Sequence, residues 1–197
     1  LDRITINVSE FWRNPEIWKL LETKFIPELQ QRSSMLKMWS AACSSGEEPY
    51  TLAMILDRMG LLDRANLVAT DLDHNILKRA KLGVYPESCV REVPKADKMR
   101  YFTERDGLFY VDDKIKQKVN FSQLNLLADP FPNRLDLIIC RNVMIYFTDE
   151  AKQMLYHKFA RALKPGGILL VGSTEQIFLP ERYQFETADT FFYRKLP

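Results

Sequence analysis

The stretch Lys37–Tyr50, with the sequence KMWSAACSSGEEPY, decides the fold class of this chain. Its apolar first half is typical of a buried strand, the chain turns at Gly46, and a helix begins through Glu47–Pro49. A strand, a tight turn and a helix start form the unit on which α/β proteins build cofactor sites. The carboxylates of Glu47 and Glu48 disfavour a phosphate group, because a helix N-terminus binds anions best where no negative side chain competes. A ligand with a positive charge or ribose hydroxyls fits this turn better.

Strands and helices alternate along the chain in a pattern typical of a doubly wound, mostly parallel α/β sheet. Four apolar stretches are predicted as buried parallel strands, namely Leu36–Cys43, Asn66–Asp71, Leu135–Cys140 and Gly167–Gly172. The hydrophobic periodicity predicts helices over Glu47–Met59, Asp73–Leu82 and Asp149–Leu163. The tail differs, since Phe185–Thr187 and Thr190–Arg194 flank a short turn and are predicted as an antiparallel hairpin. A parallel sheet closed by such a hairpin is similar to the sheet edge of class I methyltransferases.

Length and composition predict one domain. With 197 residues and 46% hydrophobic content, the chain can bury a full core, and we expect a single domain over 1–197. Two segments lie outside the strand–helix alternation. Residues 1–34, with a helix from about Pro15, are predicted as a lid and linker. Residues 101–124 are predicted as a small antiparallel β insert, with Leu108–Val111 and Val119–Ser122 as its short strands.

Charge and cysteine content exclude several classes of protein. A net charge of +2 predicts no nucleic-acid partner. No apolar run reaches the ~20 residues that span a membrane, so no direct membrane insertion is expected. Neither the three cysteines nor the two histidines have metal-ligand spacing, and we expect no metal. Unpaired cysteines predict a reducing compartment, which we interpret as the cytoplasm. Nothing in the sequence argues against a monomer.

Polar residues follow three of the predicted strands. Gly46 and Glu47 follow the first strand, and Asp71 ends the second; Arg141 and Asn142 come directly after another. Ligands of open α/β sheets bind beyond these carboxyl ends. Asp71 lies roughly 20 to 25 residues beyond the Gly46 turn, the separation at which an acidic residue reaches ribose hydroxyls. A helix-capping aspartate is the alternative. The absence of a G-x-G-x-x-G motif disfavours a dinucleotide.

Six motifs, in order, resemble those of one family. They are NVSEFWRNP (Asn7–Pro15), WSAACSSGEEPYTLAM (Trp39–Met54), ATDLD (Ala69–Asp73), NLL (Asn125–Leu127), CRNVMIYF (Cys140–Phe147) and LKPGGILLVGSTE (Leu163–Glu175). With them, the chain resembles the catalytic domain of CheR-type chemotaxis receptor glutamate O-methyltransferases. The resemblance implies S-adenosylmethionine as methyl donor, S-adenosylhomocysteine as product, and glutamate methyl esters on the cytoplasmic domains of chemotaxis receptors.

The resemblance also implies roles for single residues. It implies Arg13 and Tyr146 as catalytic residues, the first orienting the acceptor carboxylate and the second lying near the sulfonium. It implies a cofactor site formed by Asn7, Ser9, Arg13, Glu47, Asp71, Asn125, Leu126, Arg141 and Asn142. In this set Asp71 holds the ribose and Glu47 lies beside the methionine part, while Asn125 and Leu126 frame the adenine. The alternatives are a surface ion pair for Arg13 and a core position for Tyr146.

Two departures from the family pattern bear on the partner. The resemblance implies an N-terminal helical domain in full-length members, and we expect none within these 197 residues. The 101–124 insert matches the family's small β-subdomain, but its turn is short, which predicts a member that finds its receptor without binding a C-terminal pentapeptide. Two other functions stay open: a non-catalytic module that binds S-adenosylmethionine or S-adenosylhomocysteine as a sensor or scaffold, and a methyltransferase with a different acceptor.

Overall fold

A seven-stranded sheet forms the centre of the protein, whose computed structural model describes residues 9–197. The strands run in the order β6-β2-β1-β7-β8-β10-β9. Their bounds are β1 Leu36–Ser40, β2 Ala65–Asp71, β6 Val119–Gln123, β7 Leu135–Cys140, β8 Leu163–Val171, β9 Phe185–Asp189 and β10 Phe192–Lys195. The first five strands in this sheet order are parallel, and β10 is antiparallel to both β8 and β9. The predicted doubly wound sheet with an antiparallel C-terminal hairpin is confirmed.

Helices cover both faces of this sheet. They are α1 Pro15–Leu20, α2 Ile26–Arg32, α3 Glu47–Arg58, α4 His74–Leu82, α5 Lys95–Tyr101, α6 Asp113–Lys118 and α7 Asp149–Ala162, with a π-helical stretch Leu21–Phe25 joining α1 to α2. Successive residues of the central strands alternate between two apolar layers. Met38 packs in the layer that contains α3, whereas Trp39 packs with α7 on the other face. Burial on both faces explains why these strands are continuously apolar.

The prediction that Val119–Ser122 belongs to an antiparallel insert is wrong. This stretch forms β6, which pairs in parallel with β2 from Leu67↔Val119 to Asp71↔Gln123. The short helix α6 lies between β5 and β6, and it allows the chain to enter β6 in the same direction as β2. Val119 and Leu67 are buried there in the main core.

A separate three-stranded antiparallel sheet does exist, with different members. Its order is β3-β5-β4, from β3 Val84–Pro86, β4 Phe102–Arg105 and β5 Leu108–Val111. Asp106 and Gly107, both left-handed with φ of 52° and 76°, form the two-residue turn between β4 and β5. The small antiparallel sheet is therefore confirmed, but it begins before residue 101 and excludes 119–122. The division of the chain at residue 34 stays a prediction.

The carboxyl ends of five parallel strands lie along one edge of the main sheet, which we call the carboxyl edge. Ser40, Asp71, Gln123, Cys140 and Val171 are the last residues of these strands. The segment from Ser9 to α1 lies beside them, and Nη2 of Arg141, the residue after β7, donates to the carbonyl of Arg13 in this segment at 3.3 Å. Over residues 9–197, every helix is too short or too polar to cross a membrane.

Candidate active site at the carboxyl edge

Two adjoining cavities open at the carboxyl edge. The smaller, of about 60 Å³, is lined by Ser9, Glu10, Arg13, Trp18, Ala42, Cys43, Glu47, Glu48, Arg141 and Asn142. The larger, of about 230 Å³, is lined by Ser9, Arg13, Ala42, Ser44, Asp71, Arg141, Asn142, Val143, Ile145 and Tyr146. They share Ser9, Arg13, Ala42, Arg141 and Asn142, so they form two parts of one site.

The turn between β1 and α3 brings the site together. Gly46 has φ of 97°, a left-handed conformation that favours glycine. A Cβ atom at this position would lie 3.0 Å from the Tyr85 hydroxyl and 3.1 Å from Ala80 Cβ. Only glycine therefore lets the chain turn this tightly and enter α3 at Glu47.

Asp71 lies on the wall of the larger cavity. Its Oδ2 accepts from the backbone N–H of Ser44 at 2.9 Å, and its Oδ1 accepts from that of Asp73 at 3.0 Å. The helix-capping role belongs to Asp73, whose carboxylate accepts from the N–H groups of Asn75 and Ile76. Because each carboxylate oxygen has more than one lone pair, Asp71 keeps acceptor capacity for a ligand.

Glu47 is buried, at 3% exposed, on the wall of the smaller cavity. Its Oε1 accepts from the Ser45 hydroxyl at 2.6 Å, and its Oε2 accepts from Cys89 Sγ at 3.8 Å. No Lys or Arg within the described part of the chain forms an ion pair with it. Burial raises the pKa of Glu47 above its ordinary value. A buried carboxylate that makes no ion pair with residues 9–197 fits the positive group of a ligand.

Glu48, the next residue, has a cationic neighbour. Its Oε1 accepts from the Ser40 hydroxyl at 2.8 Å, and its Oε2 lies 3.9 Å from Arg141 Nη1. Burial raises the pKa of Glu48, and Arg141 opposes that shift. Burial likewise lowers the pKa of Arg141, opposed by Glu48. The two side chains therefore compensate each other's buried charge.

The backbone of Arg13 is held from two sides. Its carbonyl accepts from the indole Nε1 of Trp18 at 2.9 Å and from Nη2 of Arg141 at 3.3 Å. The residues on either side, Trp12 and Asn14, have φ of 57° and 60°. Left-handed residues other than glycine persist only where surrounding contacts hold them. The structure thus fixes Arg13 with its side chain on the walls of both cavities.

Tyr146 lies at the open mouth of the larger cavity. Its side chain is 83% exposed, which excludes the alternative of a core position. It belongs to the loop 142–146, which follows β7. Asn142, at the start of this loop, lines both cavities.

Asn125 and Leu126 lie at the same edge but not on the cavity walls. They follow β6, and the neighbouring N–H of Leu124 donates to the carbonyl of Asp71 at 3.1 Å. Asn125 Oδ1 accepts from the N–H of Leu127 at 3.0 Å, and Leu126 is buried in the layer beneath. Their role near an adenine stays a prediction.

A third and larger cleft adjoins the site on its other side. It has a volume of about 750 Å³ and shares Arg13, Arg141 and Asn142 with the two cavities. Its remaining walls come from the helical segment 14–23, the end of β8 and the turn between β9 and β10. Their residues are Asn14, Glu16, Ile17, Lys19, Leu20, Thr23, Val171, Gly172, Ser173, Asp189, Thr190 and Phe191. The three shared residues therefore separate a polar pocket from a wide cleft.

The comparison with protein families shows to which family the chain belongs. The family model described as CheR methyltransferase, SAM binding domain, matches residues 7–192. The chain belongs to the CheR methyltransferase family. The resemblance predicted from the six motifs is confirmed.

Two relatives of this CheR-family chain are called chemotaxis protein methyltransferases. A chemotaxis protein methyltransferase of Listeria monocytogenes is 43% identical over 193 residues, which cover 98% of this chain and 74% of the relative. One of Borreliella burgdorferi is 38% identical and covers 90% of this chain and 67% of the relative. Among solved structures, the DszA carbon methyltransferase aligns with a TM-score of 0.52 at 15% identity, over 80% of this chain and 35% of that one. This likeness supports the methyltransferase fold.

The residues at the edge fit the ligand of a CheR-family SAM-binding domain. S-adenosylmethionine carries an ammonium group and ribose hydroxyls. The buried carboxylate of Glu47, which lacks a cationic partner in residues 9–197, suits the ammonium group. Asp71 has acceptor capacity for hydroxyls in the adjoining cavity. No group of three His, Cys, Asp or Glu side chains in the described residues could hold a metal ion.

Most of the site residues expected of a CheR-family chain come together at this edge. Ser9, Arg13, Glu47, Asp71, Arg141, Asn142 and Tyr146 line the cavities. Asn7 lies outside the described residues. Sequence reasoning missed Trp18, Ser44 and Glu48 as site residues. Ser44 and Glu48 stand inside the quoted turn motif and could have been inferred from it, whereas nothing in the sequence indicates that Trp18 reaches the Arg13 carbonyl.

Proposed function

We propose that this chain transfers a methyl group from S-adenosylmethionine to side-chain carboxylates of glutamates on chemotaxis receptors, forming methyl esters and S-adenosylhomocysteine. The family and the names of the chemotaxis methyltransferases that it resembles support this reaction. The observation that carries the proposal is the position of Arg13, whose side chain lines both the polar cavities and the 750 Å³ cleft.

The residues of the polar cavities bind and orient the cofactor in this proposal. Glu47 pairs with its ammonium group, and Asp71 accepts from its ribose hydroxyls. Ser9, Arg141 and Asn142 close the walls around it, and Asn125 and Leu126 flank the adenine. When bound, the cofactor supplies a methyl group on a positively charged sulfur, and a carboxylate can attack this methyl group in line and displace the sulfur.

Arg13 orients the acceptor in the proposed reaction. A guanidinium group can hold a carboxylate in a planar fork, and it does so better than a lysine. Glutamate is already ionised at neutral pH, so no general base is needed. The chain's contribution is therefore mainly to bring two groups together in the right orientation. The wide cleft beside Arg13 is the route by which we propose that the receptor segment enters.

Tyr146 borders the cofactor cavity on the solvent side. An aromatic face attracts a neighbouring cation, and a phenol can donate a hydrogen bond. We assign it to ordering the reactive end of the cofactor. Because it is exposed, its position depends on the loop 142–146 and not on core packing.

The proposed partner is the cytoplasmic domain of a methyl-accepting receptor, and the proposed location is the cytoplasm. The two-residue turn Asp106-Gly107 between β4 and β5 leaves a short hairpin. This favours recognition without a bound receptor pentapeptide. Binding to receptor fragments that lack the last five residues should then match binding to intact fragments.

Transfer of labelled methyl groups to a receptor cytoplasmic fragment tests the proposal. We expect label in the fragment that mild base releases as methanol, and none in a matched fragment whose methylated glutamates are replaced by glutamine. Binding of S-adenosylhomocysteine without any transfer would instead support a sensor or scaffold. Base-stable label, or label on another molecule, would indicate a different acceptor.

A further inference from the structure

Glu175 carries a fully buried carboxylate that no part of the proposed reaction uses. It follows β8 in the short 3-10 helix Ser173–Glu175, and its side chain has no exposed surface. Its Oε1 accepts from the N–H of Asn142 at 2.7 Å, and its Oε2 accepts from those of Val143 and Met144 at 2.8 and 2.9 Å. One carboxylate thus binds three successive backbone N–H groups of the loop 142–146.

The loop has a shape that depends on such an anion. Asn142 is left-handed, with φ of 58°, and this turns consecutive N–H groups toward one point. Buried N–H groups left without an acceptor are costly, so the loop requires an acceptor where the carboxylate lies. Two further donors, the N–H of Gly172 at 2.9 Å and the hydroxyl of Thr174, hold the carboxylate in place.

We propose that Glu175 is a positioning residue for methyl transfer. It lines neither polar cavity, but it fixes the loop that places Asn142 on their shared wall and Tyr146 at the mouth. The inference rests on the proposed function, since it assigns Glu175 to the geometry of that reaction. Loss of the carboxylate then displaces the loop and disturbs transfer more than it disturbs folding.

A buried carboxylate at the opposite end of the sheet provides a matched control. Asp136, near the start of β7, is also buried, and it accepts from the hydroxyl of Ser33 at 2.7 Å and the N–H of Lys37 at 2.9 Å. It also pairs with Lys164 at 3.2 Å. Asp136 does not line any of the three cavities described above. Its amide variant tests the cost of altering a buried carboxylate without touching the loop 142–146.

The experiment compares Glu175→Gln with Asp136→Asn. For each variant we would measure thermal unfolding, the affinity for S-adenosylhomocysteine, and kcat and KM for a receptor fragment. Both variants should melt at lower temperature than the wild type. We expect kcat of Glu175→Gln to fall about 30-fold, because small misplacement of reacting groups is costly, with KM changing less than about threefold. The kcat of Asp136→Asn should stay at the wild-type value. Equal kcat for the two variants would overturn the proposal.

Hydrogen exchange keeps the proposal testable if Glu175→Gln does not fold or if the wild type transfers no methyl group. In the wild-type chain the amides of Val143 and Met144 should exchange slowly, and in the milder variant Glu175→Asp they should exchange at least about tenfold faster. Unprotected amides in the wild type, or no change in Glu175→Asp, would overturn the anchor itself. Absence of methyl transfer by a wild-type chain with protected amides would overturn the proposed function and leave the anchor supported.

Discussion

Nη2 of Arg141 donates to the backbone carbonyl of Arg13 at 3.3 Å, so a residue at the end of a central strand holds the segment that precedes the first helix. The same nitrogen donates to Oδ1 of Asn14 at 2.5 Å, and Trp18 donates to the same carbonyl. Trp12 and Asn14 are left-handed, a conformation that costs about 1–3 kcal/mol at each residue. The Arg141 contacts therefore offset strain that the position of Arg13 requires.

Arg141→Lys should loosen this segment without unfolding the chain. In arginine, Nη1 faces Glu48 while Nη2 donates to both acceptors, the Arg13 carbonyl and Asn14 Oδ1. Lysine keeps a positive charge near Glu48, but its single nitrogen cannot take both positions. Losing these hydrogen bonds should lower the free energy of unfolding by about 1–3 kcal/mol. Hydrogen exchange followed by mass spectrometry should be faster in peptides covering residues 9–20, and unchanged in peptides covering β7.

The charge of Arg141 can be separated from its hydrogen bonds. Arg141→Met leaves Glu48 buried without its cation and should destabilise the chain more than Arg141→Lys does. Adding Glu48→Gln to Arg141→Met should restore part of the stability, but not the slow exchange of residues 9–20. If exchange there is the same in Arg141→Lys as in the wild type, other contacts hold the segment.

Glu47→Gln should weaken the binding of S-adenosylhomocysteine by about tenfold or more, since a charge-assisted hydrogen bond to the ammonium group is lost. Calorimetric titration measures this change. A ligand-side control is 5′-methylthioadenosine, which has the adenosine but lacks the amino-acid part. Its affinity should be the same for both proteins, and an equal loss for the two ligands would place Glu47 elsewhere in the site.

The pH dependence of binding follows from the same carboxylate. Burial raises the pKa of Glu47 from its ordinary 4.5, so affinity for S-adenosylhomocysteine should fall as the pH drops through that raised value. The stability of the ligand-free fold changes with pH in the opposite direction. Because the folded chain holds the proton of Glu47 more tightly, stability is lost as the pH rises through the raised pKa. Glu47→Gln should therefore raise the melting temperature of the ligand-free chain at pH 7. In this variant the affinity for S-adenosylhomocysteine should also fall less as the pH is lowered. A lower melting temperature would contradict the argument.

The sheet was largely predictable, and the wrong prediction for Val119–Ser122 has a clear cause. The buried central strands are continuously apolar, so their pattern in the sequence is strong. The strand β6 lies at the edge of the sheet and alternates buried Val119 with exposed neighbours, a pattern that does not distinguish parallel from antiparallel pairing. The Asp106-Gly107 dipeptide is a strong hairpin signal, and it forms the turn between β4 and β5.

Asp71→Asn should weaken the binding of S-adenosylhomocysteine and of 5′-methylthioadenosine by the same factor, about fivefold to tenfold, because both ligands carry the ribose. Calorimetry on the two ligands gives the comparison. The N–H of Ser44 also donates to Asp71, so a modest loss of stability is expected. A loss of affinity for only one of the two ligands would rule out the ribose as the partner of Asp71.

The residues that hold the site in shape were less predictable than those that line it. Strand ends predict where Glu47 and Asp71 lie, because parallel strands align their carboxyl ends. The left-handed Trp12 and Asn14, and the reach of Glu175 to Asn142, depend on contacts between segments more than 30 residues apart in sequence. No local periodicity or propensity encodes such contacts.

Gly172→Ala should disturb the site directly. An added Cβ would lie 2.4 Å from Asn142 Oδ1 and 2.8 Å from the backbone nitrogen of Asn142. Backbone cannot give way as a flexible side chain can, so the loop 142–146 must shift. We expect about 1–3 kcal/mol of lost stability and about tenfold weaker binding of S-adenosylhomocysteine, measured by thermal unfolding and calorimetry.

Gly60→Ala is the matched control for this prediction. Gly60 has φ of 75°, and a Cβ atom there would meet nothing within 4 Å. Alanine at this position should therefore cost about 1–2 kcal/mol through backbone strain alone, at the end of α3 that lies away from the site. Its affinity for S-adenosylhomocysteine should equal that of the wild type. If both variants lose affinity in proportion to their loss of stability, the contact between Gly172 and Asn142 does not shape the cofactor site.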